Sequence, residues 1–464
     1  MRLEDIHRID NIYMIGIGGI GMSALARYFL IQGKRVAGYD RVSTRLTDDL
    51  IREGSEIHFT ADLSYIKTIF PDPDNILVIY TPAVPDNHLE LEFFRKGGYQ
   101  IVKRAEMLGI LSKNERCIAV AGTHGKTTIS TMIAHLLRVA GIPCNAFLGG
   151  ISKNYQTNAL LSDDGEWMVL EADEYDRSFL HLYPTVAIVS SCDPDHLDIY
   201  GSVEKLEEAF CEFIGQVDNK GHLVYRAGLG LDCLKGASPE KHSYSLEGDA
   251  TYYAQNIRNI GGLYRFDAVI PDGIIRDIDL GIPGLINIEN ALACLGLAKI
   301  LDISDDHIRE AMASFSGVIR RFDVLIHRED LVYIDDYAHH PRELDACIDS
   351  VKKNYPNRKV TGIFQPHLFS RTQDLAEEFA ESLAALDELI LLDIYPAREN
   401  PIEGVSSRLI YDRVDLENKI LIEKEQLMQV LEERHPELLL TLGAGDIDQF
   451  VDPIVNLYTK QEVN

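Results

Sequence analysis

The chain contains one short segment whose residue types fit the binding of a nucleoside triphosphate. The residues Gly122-Thr123-His124-Gly125-Lys126-Thr127-Thr128 follow an apolar strand pattern and open a helix pattern. Backbone N–H groups of such a loop and of the helix after it can surround phosphate oxygens. Lys126 would add a positive charge for the terminal phosphates, and Thr127 would add a hydroxyl ligand for Mg²⁺. The segment therefore predicts a nucleotide-binding site.

This loop is shorter than the common phosphate-binding pattern GxxxxGK[ST]. Val120 stands five residues before Gly125, where the common pattern has its first glycine. The shortened form argues against an ordinary GTPase or motor protein. The alternative is a glycine turn with an incidental lysine, which is disfavoured because a strand pattern precedes the loop and a helix pattern follows it.

A second glycine loop lies near the start of the chain. Gly16, Gly18 and Gly21 match GxGxxG after an apolar segment, and Asp40 stands where an acid that binds ribose is expected. Alone, this pattern would indicate NAD and a dehydrogenase. A dehydrogenase does not need the second phosphate loop, whereas a ligase with a nucleotide-linked substrate needs two diphosphate sites. We therefore predict that the segment Gly18-Gly19-Ile20-Gly21 binds the diphosphate of UDP.

Both loops belong to runs of strand, turn and helix patterns that predict an α/β protein with three domains. A chain of 464 residues is also longer than one core supports. We predict an N-terminal Rossmann-like domain over residues 1–112 and a central P-loop ATPase α/β domain over 113–318. A C-terminal α/β domain with an open parallel sheet is predicted over 319–464. Short alternating segments between residues 221 and 279 predict an antiparallel insertion in the central domain.

Four apolar segments of the C-terminal region are followed directly by polar residues that could do chemistry. They are LVYIDD, KVTGIF, ELILLD and ELLLTL, which begin at Leu331, Lys359, Glu388 and Glu437. In open parallel sheets, ligands bind at the carboxyl ends of the strands. The pattern therefore predicts four parallel strands whose ends carry a binding site.

The composition excludes several other classes of protein. Hydrophobic residues make up 46% of the chain and charged residues 25%, as in a globular protein with real cores. A net charge of -28 disfavours nucleic acid as a partner, and no apolar run is long enough to span a membrane. The seven cysteines are scattered and lack CxxC spacing, which argues against a disulfide framework or a zinc site built from them. We expect a soluble cytoplasmic protein, a monomer or a homodimer, with its cysteines as small buried residues.

Four segments in this order resemble the Mur ligase family of peptidoglycan synthesis. They are GTHGKTT at 122–128, EADEYD at 171–176, DH at 195–196 and NIEN at 287–290. Further segments resemble the branch of that family that attaches L-alanine to UDP-N-acetylmuramate: GIGGIGMS at 16–23, SFLHLYPTVAIV at 178–189, RRFD at 320–323, DDYAHHP at 335–341, FQPHLFSRT at 364–372 and DIYPARENPIEGVS at 393–406.

The resemblance implies an ATP-dependent and Mg²⁺-dependent ligase. In the implied reaction, the lactoyl carboxylate of UDP-N-acetylmuramate takes the γ-phosphate of ATP, and the amine of L-alanine attacks the acyl phosphate. The products are the amide, ADP and phosphate. The implied fold has a domain for the UDP-sugar, a central ATPase domain and a C-terminal Rossmann-like domain, over 319–464, that closes over both.

The resemblance also implies roles for residues of the central domain. Lys126 would contact the phosphates of ATP, and Asn290 would lie in the adenine-binding segment. Thr127 and Glu171 would hold one Mg²⁺, and Glu171 with His196 would hold a second.

For the remaining domains, the resemblance implies substrate contacts. Arg321 would meet the γ-phosphate, while Tyr337, His339 and Arg371 would approach L-alanine and the reacting carboxyl group. Asn158 would contact the sugar. His339 is placed near the incoming amine, and whether it acts as the general base is left open because geometry must be known before its pKa is useful.

The sequence departs from the family at three positions. Ile286 replaces a histidine that is frequent beside the adenine, Ser191 replaces an asparagine, and Leu368 replaces a second arginine found in many members. Leu368 removes one expected cation near the amino acid, so it bears on amino-acid specificity more than on ligase chemistry.

Three other functions compete with this hypothesis. A murein peptide ligase would load a peptide onto the same sugar nucleotide, but FQPHLFSRT and SFLHLYP favour the alanine-adding branch. A non-enzymatic nucleotide switch would not need a third domain rich in Arg, His and Asp at strand ends. A dehydrogenase would not need Lys126.

Overall fold

The computed structural model describes residues 3–70, 72–194, 197–236, 238–397 and 399–460. Three sheets with helices packed on them confirm the predicted α/β class. The chain forms two compact units, of which the first holds Met1–Ile282 with Ile286–Gly317 and the second holds Pro283–Leu285 with Val318–Asn464. None of the helices in the described ranges is long and apolar enough to cross a lipid bilayer.

The N-terminal part of the first unit is a five-stranded sheet with its helices. The strands are β1 (Asn11–Ile15), β2 (Arg35–Tyr39), β3 (Glu56–His58), β4 (Ile76–Tyr80) and β5 (Gln100–Lys103), and the helices are α1 (Leu3–His7), α2 (Ile20–Ile31), α3 (Arg45–Arg52), α4 (Leu63–Ile69), α5 (Leu89–Lys96) and α6 (Arg104–Ser112). All strands are parallel, in the order β3-β2-β1-β4-β5. The loop after β1 therefore lies where the strand order reverses, which is where such sheets bind ligands.

The rest of the first unit surrounds a ten-stranded sheet. Its strands are β6 (Arg116–Ala121), β7 (Cys144–Ser152), β8 (Thr157–Leu160), β9 (Trp167–Ala172), β10 (Val186–Val189), β11 (His222–Arg226), β12 (Glu240–Ser245), β13 (Tyr252–Ile260), β14 (Leu263–Ile270) and β15 (Gly273–Leu280), and its helices are α7 (Lys126–Val139), α8 (Leu197–Tyr200), α9 (Val203–Gly215), α10 (Leu285–Ile300) and α11 (Asp305–Ser314). The order is β15-β14-β13-β12-β11-β10-β6-β9-β7-β8. The phosphate loop follows β6, near the middle of this sheet.

The predicted antiparallel insertion is correct only in its second half. Strands β13, β14 and β15 pair antiparallel, but β11 and β12 pair parallel and continue the main sheet from β10. Strands β11 and β12 lie inside the ten-stranded sheet, between β10 and β13, so their alternating pattern does not mark a hairpin. The segment is thus an extension of the sheet rather than a separate insertion.

The second unit is built on a six-stranded sheet. Its strands are β16 (Asp323–His327), β17 (Val332–Asp336), β18 (Val360–Phe364), β19 (Glu388–Leu392), β20 (Lys419–Ile422) and β21 (Leu438–Leu442), and its helices are α12 (Pro341–Asn354), α13 (Phe369–Asp374), α14 (Ala376–Leu383), α15 (Arg408–Tyr411), α16 (Leu427–Glu432) and α17 (Val451–Lys460). The order is β16-β17-β21-β18-β19-β20, and β16 is antiparallel to β17. The four predicted strands, β17, β18, β19 and β21, are confirmed as parallel neighbours. Short 3₁₀ helices across the chain are Pro73–Asn75, Tyr175–His181, Asp232–Lys235, Lys424–Gln426 and Asp446–Phe450.

The apolar cores follow the sheets, with one exception. A single buried cluster joins α2 of the N-terminal sheet to β7 and the 3₁₀ helix Tyr175–His181, through residues such as Phe29, Phe147 and Phe179. The two clusters that cover the faces of the third sheet contain only residues of the second unit. The first two sheets therefore share a core, whereas the third has its own.

One pair of cysteines forms a disulfide, which the sequence analysis did not predict. Cys211 of α9 and Cys233 form a disulfide, with their Cα atoms 5.6 Å apart. The expectation that none of the cysteines is paired is therefore wrong, because the fold returns the chain from α9 to the 3₁₀ helix Asp232–Lys235 beside it. The others are unpaired, and they are buried as predicted except for the half-buried Cys192: Cys117, Cys144, Cys192, Cys294 and Cys347.

Candidate active site

The shortened phosphate loop connects the carboxyl end of β6 to α7. Gly122 and Gly125 have φ angles of +132° and +82°, which residues with a side chain rarely adopt. A Cβ atom on Gly122 would also overlap the hydroxyl of Ser190. Helix α7 begins at Lys126, so Lys126, Thr127 and Thr128 form its first turn, whose N–H groups have no acceptor within the helix. The loop thus has the backbone form of an anion site.

Ser191, which follows β10, holds the phosphate loop through its hydroxyl group. Ser191 Oγ accepts the N–H of His124 at 2.8 Å and lies 2.9 Å from Thr123 Oγ1. Thr123 Oγ1 also accepts the N–H of Asp193 at 3.1 Å. The serine that departs from the family pattern therefore has a defined structural role, because its hydroxyl holds the middle of the loop.

The ammonium group of Lys126 is paired with a residue that sequence reasoning did not single out. Lys126 Nζ donates to both carboxylate oxygens of Glu174, at 2.8 and 3.0 Å, and to the carbonyl of Gly122 at 2.8 Å. Burial alone lowers the pKa of Lys126, but the carboxylates of Glu174, Asp173 and Glu171 outweigh burial and raise it. The lysine is therefore charged, and Glu174 holds it beside the loop.

Thr127 and Glu171 lie together, as their proposed role requires. Thr127 Oγ1 donates to the two carboxylate oxygens of Glu171 at 3.0 and 3.1 Å. Adjacent oxygen ligands of an octahedral Mg²⁺ are also about 3 Å apart, and both groups are hard oxygen donors, so the pair fits Mg²⁺. A Cβ atom on Gly149 of β7 would overlap the Glu171 carboxylate, so a larger residue there would displace that carboxylate. The other predicted ligand, His196, lies outside the described residues.

Asn290 of α10 lies against the loop. A Cβ atom on Gly125 would be 3.0 Å from Asn290 Oδ1, and Asn290 Nδ2 donates to Asn287 Oδ1 at 3.0 Å. Next to it, Arg226 donates to Glu289 at 2.9 Å. The structure therefore brings Asn290 to the loop glycine, while Ile286 of the same helix is half exposed.

Asp40 binds the backbone of the first glycine loop. Gly18 N–H donates to Asp40 Oδ2 at 2.8 Å, and Gly16 N–H donates to the Tyr39 carbonyl at 2.8 Å. Gly16 has a φ of +83°, and a Cβ atom on Gly18 would overlap Thr47 and Asp40. Asp40 therefore positions the loop, which differs from the ribose-binding role that its spacing suggests.

A cation that sequence reasoning missed lies at this loop. Gly19 is the residue before α2, Ile20 opens the helix, and a Cβ atom on Gly21 would overlap the guanidinium of Arg104. Arg104 opens α6, more than eighty residues further along the chain, so no local motif links it to the loop. The amide groups at the start of α2 and the Arg104 side chain together form an environment suited to an anion.

Asn158 of β8 is fully buried against α2. Its Nδ2 donates to the Ile20 carbonyl at 2.5 Å and to Ser23 Oγ at 2.9 Å, and its Oδ1 accepts from Arg27. The amide thus joins the second sheet to the helix of the first glycine loop. A direct contact with a sugar, as the family resemblance implies, would exchange one of these hydrogen bonds.

In the second unit, two adjacent arginines have different surroundings. Arg320 is largely buried and donates to Asp335 Oδ2 at 3.2 Å. The guanidinium of Arg321 lies 5.2 Å from the ring centre of Tyr337. Arg321 also helps to hold down the pKa of the buried Asp336, which burial raises to about 6. The guanidinium of Arg320 also lies 5.2 Å from the ring centre of Tyr337, so both cations lie beside Tyr337, and Arg320 in addition contacts Asp335 of β17.

Glu343 fixes the orientation of His339. His339 Nδ1 lies 3.1 Å from Glu343 Oε2 and 3.0 Å from the Tyr337 carbonyl, and the same carboxylate accepts the His339 N–H at 2.9 Å. Burial would raise the pKa of Glu343, but the hydrogen bonds from His339 and the charge of Arg321 hold that pKa far below its usual range. Because Nδ1 points at oxygen atoms, Nε2 is the atom of His339 that can face a substrate.

Arg371 belongs to α13, and His367, two residues before that helix, has its ring centre 5.8 Å from that of His339. Its Nη1 is buried without a hydrogen-bond partner among the described residues. Leu368, the residue before the helix, has a φ of +72°, a strained value for a residue with a branched side chain. An arginine with an unsatisfied donor, next to a strained backbone, is typical of a site built for a ligand.

The fold and the loop geometry define an α/β protein with a phosphate-binding loop, and the comparisons with known proteins identify it as an ATP-dependent ligase and give its family. "Mur ligase family, catalytic domain" matches residues 11–116, "Mur ligase middle domain" matches 120–298 and "Mur ligase, glutamate ligase domain" matches 320–445. The chain is 49% identical to the UDP-N-acetylmuramate–L-alanine ligase of Parabacteroides distasonis over 98% of this chain and 99% of that protein. It belongs to the Mur ligase family.

Two further relatives agree with this result. The UDP-N-acetylmuramate–L-alanine ligase of Flavobacterium johnsoniae is 46% identical over 97% of this chain and 98% of that protein. The crystal structure of the UDP-N-acetylmuramate–alanine ligase from Thermotoga maritima superposes with a TM-score of 0.82 at 28% identity, over 97% of this chain and 99% of that one. A murein peptide ligase from Psychrobacter arcticus shares the fold, with a TM-score of 0.72 at 21% identity, 96% of this chain and 98% of that one.

Proposed function

We propose that this ligase joins L-alanine to UDP-N-acetylmuramate, with ATP and Mg²⁺, to make a peptidoglycan precursor. The observation that carries the proposal is near full-length identity of 49% to a ligase of that name, combined with a Lys126, Thr127 and Glu171 cluster at the phosphate loop. The likeness to the murein peptide ligase is at the level of the fold alone.

The reaction needs a loop of this kind because a carboxylate does not react with an amine while its leaving group is oxide. Transfer of the γ-phosphoryl group to the carboxylate oxygen turns that oxygen into part of a stable leaving group. Two anions must meet in this step, so the site must concentrate positive charge. Lys126 and the α7 amides bind the phosphates, and Thr127 and Glu171 would hold Mg²⁺, which would supply further positive charge. In addition, His196 is proposed as a Glu171-linked ligand of a second Mg²⁺.

The loop residues share the binding of the triphosphate. We assign the phosphate contacts to the segment Gly122-Thr123-His124-Gly125-Lys126-Thr127-Thr128 and the adenine side to Asn290. This assignment is supported by the free amide groups of the first turn of α7 and by the position of Asn290 against Gly125.

The second unit would supply the groups for the amine and the transferred phosphoryl group. We assign the γ-phosphate to Arg321, and L-alanine with the reacting carboxyl group to Tyr337, His339 and Arg371. The Glu343 contacts that direct His339 Nε2 away from the backbone support this assignment, because a directed imidazole can accept the proton that the amine loses.

The UDP part is assigned to the first glycine loop. Gly18, Gly19, Ile20 and Gly21 would bind the diphosphate, with Arg104 as the opposing charge, and Asn158 would lie on the sugar side. We retain the three functional domains 1–112, 113–318 and 319–464 as part of the proposal, with the reaction in the cytoplasm and the protein as a monomer or homodimer.

The test is a substrate-dependence assay. Purified protein with UDP-N-acetylmuramate, ATP and Mg²⁺ should release phosphate only after L-alanine is added, and mass spectrometry should find the amide product. Release with L-alanyl-γ-D-glutamyl-meso-diaminopimelate, but not with L-alanine, would replace the proposal with the murein peptide ligase activity. No release with either amine would overturn both.

A further inference from the structure

Three possible metal ligands meet on two neighbouring strands of the second sheet. His222 opens β11, and Glu240 and His242 lie at the start of β12. The strands are parallel, with His222 opposite Glu240 and Val224 opposite His242. Within the described residues, this is the group of His, Cys, Asp and Glu side chains close enough together to hold a metal ion, with all ligand atoms within 4.8 Å of one another.

The distances between the ligand atoms fit a small tetrahedral ion. His222 Nδ1 lies 3.2 Å from His242 Nε2, and each of these atoms lies 3.7 Å from a carboxylate oxygen of Glu240. Ligands of Zn²⁺ at 2.0–2.1 Å in tetrahedral geometry are about 3.3 Å apart. Small rotations of the exposed Glu240 side chain would close the remaining gap. The donor set, two imidazoles and one carboxylate, is one that Zn²⁺ uses in proteins.

The group can be reached from solvent, since 69% of the Glu240 side chain is exposed and His222 lines a surface cavity of about 530 Å³.

This group is separate from the phosphate loop. His222 pairs with Val186 at the start of β10, and β10 pairs with β6 so that Val186 lies opposite Ile118. The phosphate loop follows Ala121 at the other end of β6. The three side chains therefore lie at the amino-terminal ends of the strands, and the proposed ligase reaction does not use them.

We propose that His222, Glu240 and His242 form a Zn²⁺ site with three protein ligands and a fourth position for water. The ion would join β11 to β12, which pair in parallel. Its effect would be on the stability of this edge of the sheet and not on the chemistry of ligation.

The proposal is tested on the full-length protein after treatment with a chelator. Isothermal titration with Zn²⁺, in excess Mg²⁺ to occupy oxygen sites, should give one tight site per chain, and Co²⁺ should give the visible absorption of tetrahedral cobalt. His242→Gln should weaken Zn²⁺ binding by more than about tenfold, because even residues behind a metal ligand change affinity by that factor. The matched control is His307→Gln, a change at an exposed histidine of α11.

Two further variants separate this site from others. Glu171→Gln should leave the tight Zn²⁺ site unchanged, since Glu171 lies on β9 beside Thr127 and belongs to the proposed Mg²⁺ site. Glu240→Gln changes an exposed side chain and should not disturb folding. Its Zn²⁺ affinity therefore tests the site if His242→Gln does not fold. Unchanged Zn²⁺ affinity in Glu240→Gln and in a folded His242→Gln, or loss of binding in Glu171→Gln, would overturn the proposal and leave the two imidazoles as hydrogen-bond partners only.

Discussion

Lys126 is a proposed phosphate ligand and also one partner of a buried ion pair with Glu174. Its ammonium group is held by Glu174, of which only 1% of the side chain is exposed, before any phosphate is bound. A buried ion pair stabilises little compared with an apolar pair, but the loss of one partner leaves an uncompensated charge. Glu174 therefore keeps the lysine charged and in place, and removal of the lysine should affect both the proposed phosphate binding and the stability of the fold.

We predict that these two effects can be separated. Lys126→Ala should lower kcat by at least about 100-fold, because a preorganised cation is lost from the phosphates. It should also lower the free energy of unfolding by about 3 kcal/mol, because Glu174 loses its partner. Adding Glu174→Gln to Lys126→Ala should restore most of the stability and none of the activity, as measured by urea unfolding and phosphate release. Recovery of activity in the double variant would remove Lys126 from the mechanism.

Gly149 offers a second test at the residue scale. Gly149→Ala places a methyl group on the Glu171 carboxylate, so the oxygen ligands proposed for Mg²⁺ must move. We expect a higher Mg²⁺ concentration for half-maximal activity, with binding of UDP-N-acetylmuramate unchanged. Gly215→Ala in α9 is the control, because an added Cβ there meets nothing within 4 Å. Equal Mg²⁺ dependence in both variants would show that Glu171 does not hold the ion.

At the scale of elements, the position of α7 decides where the phosphate loop lies. The helix is held by the buried His135, whose Nδ1 lies 2.8 Å from Tyr155 Oη and whose Nε2 lies 3.0 Å from Ser314 Oγ of α11. Burial lowers the pKa of His135 to about 4. The imidazole is therefore neutral in the folded protein, and its two hydrogen bonds fix the helix that carries Lys126 and Thr127.

This histidine predicts a pH dependence of stability. The unfolded chain binds a proton at His135 below about pH 6.5, whereas the folded chain does so only near pH 4, so stability falls as the pH drops through this range. The loss between pH 8 and pH 5 should be about 2 kcal/mol. Urea unfolding of the native chain and of His135→Gln, compared at both pH values, should show a smaller loss in the variant. The same loss in both proteins would assign the pH dependence to other groups.

At the scale of the whole molecule, charge and packing are distributed unevenly. The chain has a net charge of -28, yet its proposed substrates are anions, so positive charge is provided locally by Lys126 and Arg104 at the two glycine loops. The first two sheets share one apolar cluster, while the third sheet is covered by clusters of its own. The three sheets therefore do not have three independent apolar cores.

This packing predicts different behaviour for two fragments. Residues 318–464 expressed alone should fold cooperatively, because both faces of their sheet are covered by their own residues. Residues 1–112 alone should bind a dye specific for exposed apolar surface and unfold with low cooperativity, because Phe29 and its neighbours lose Phe147 and Phe179. Chemical denaturation followed by circular dichroism distinguishes the two outcomes. A cooperative fragment 1–112 would contradict the shared core.

The sequence by itself determined the features that depend on neighbouring residues along the chain. The glycine loops, the helices that follow them and the four strands β17, β18, β19 and β21 are local patterns of spacing and apolarity, and the α/β class followed from their alternation. The family resemblance depended on the same local segments.

The tertiary structure alone decided which distant residues meet. Glu174 reaches Lys126 because β9 lies beside β6, Gly149 meets Glu171 because β7 lies beside β9, and Arg104 reaches Gly21 from the far end of the first sheet. The parallel pairing of β11 with β12 and the Cys211–Cys233 disulfide were missed for the same reason. Strand order is set by the burial of apolar faces across the whole fold, and no local spacing encodes it.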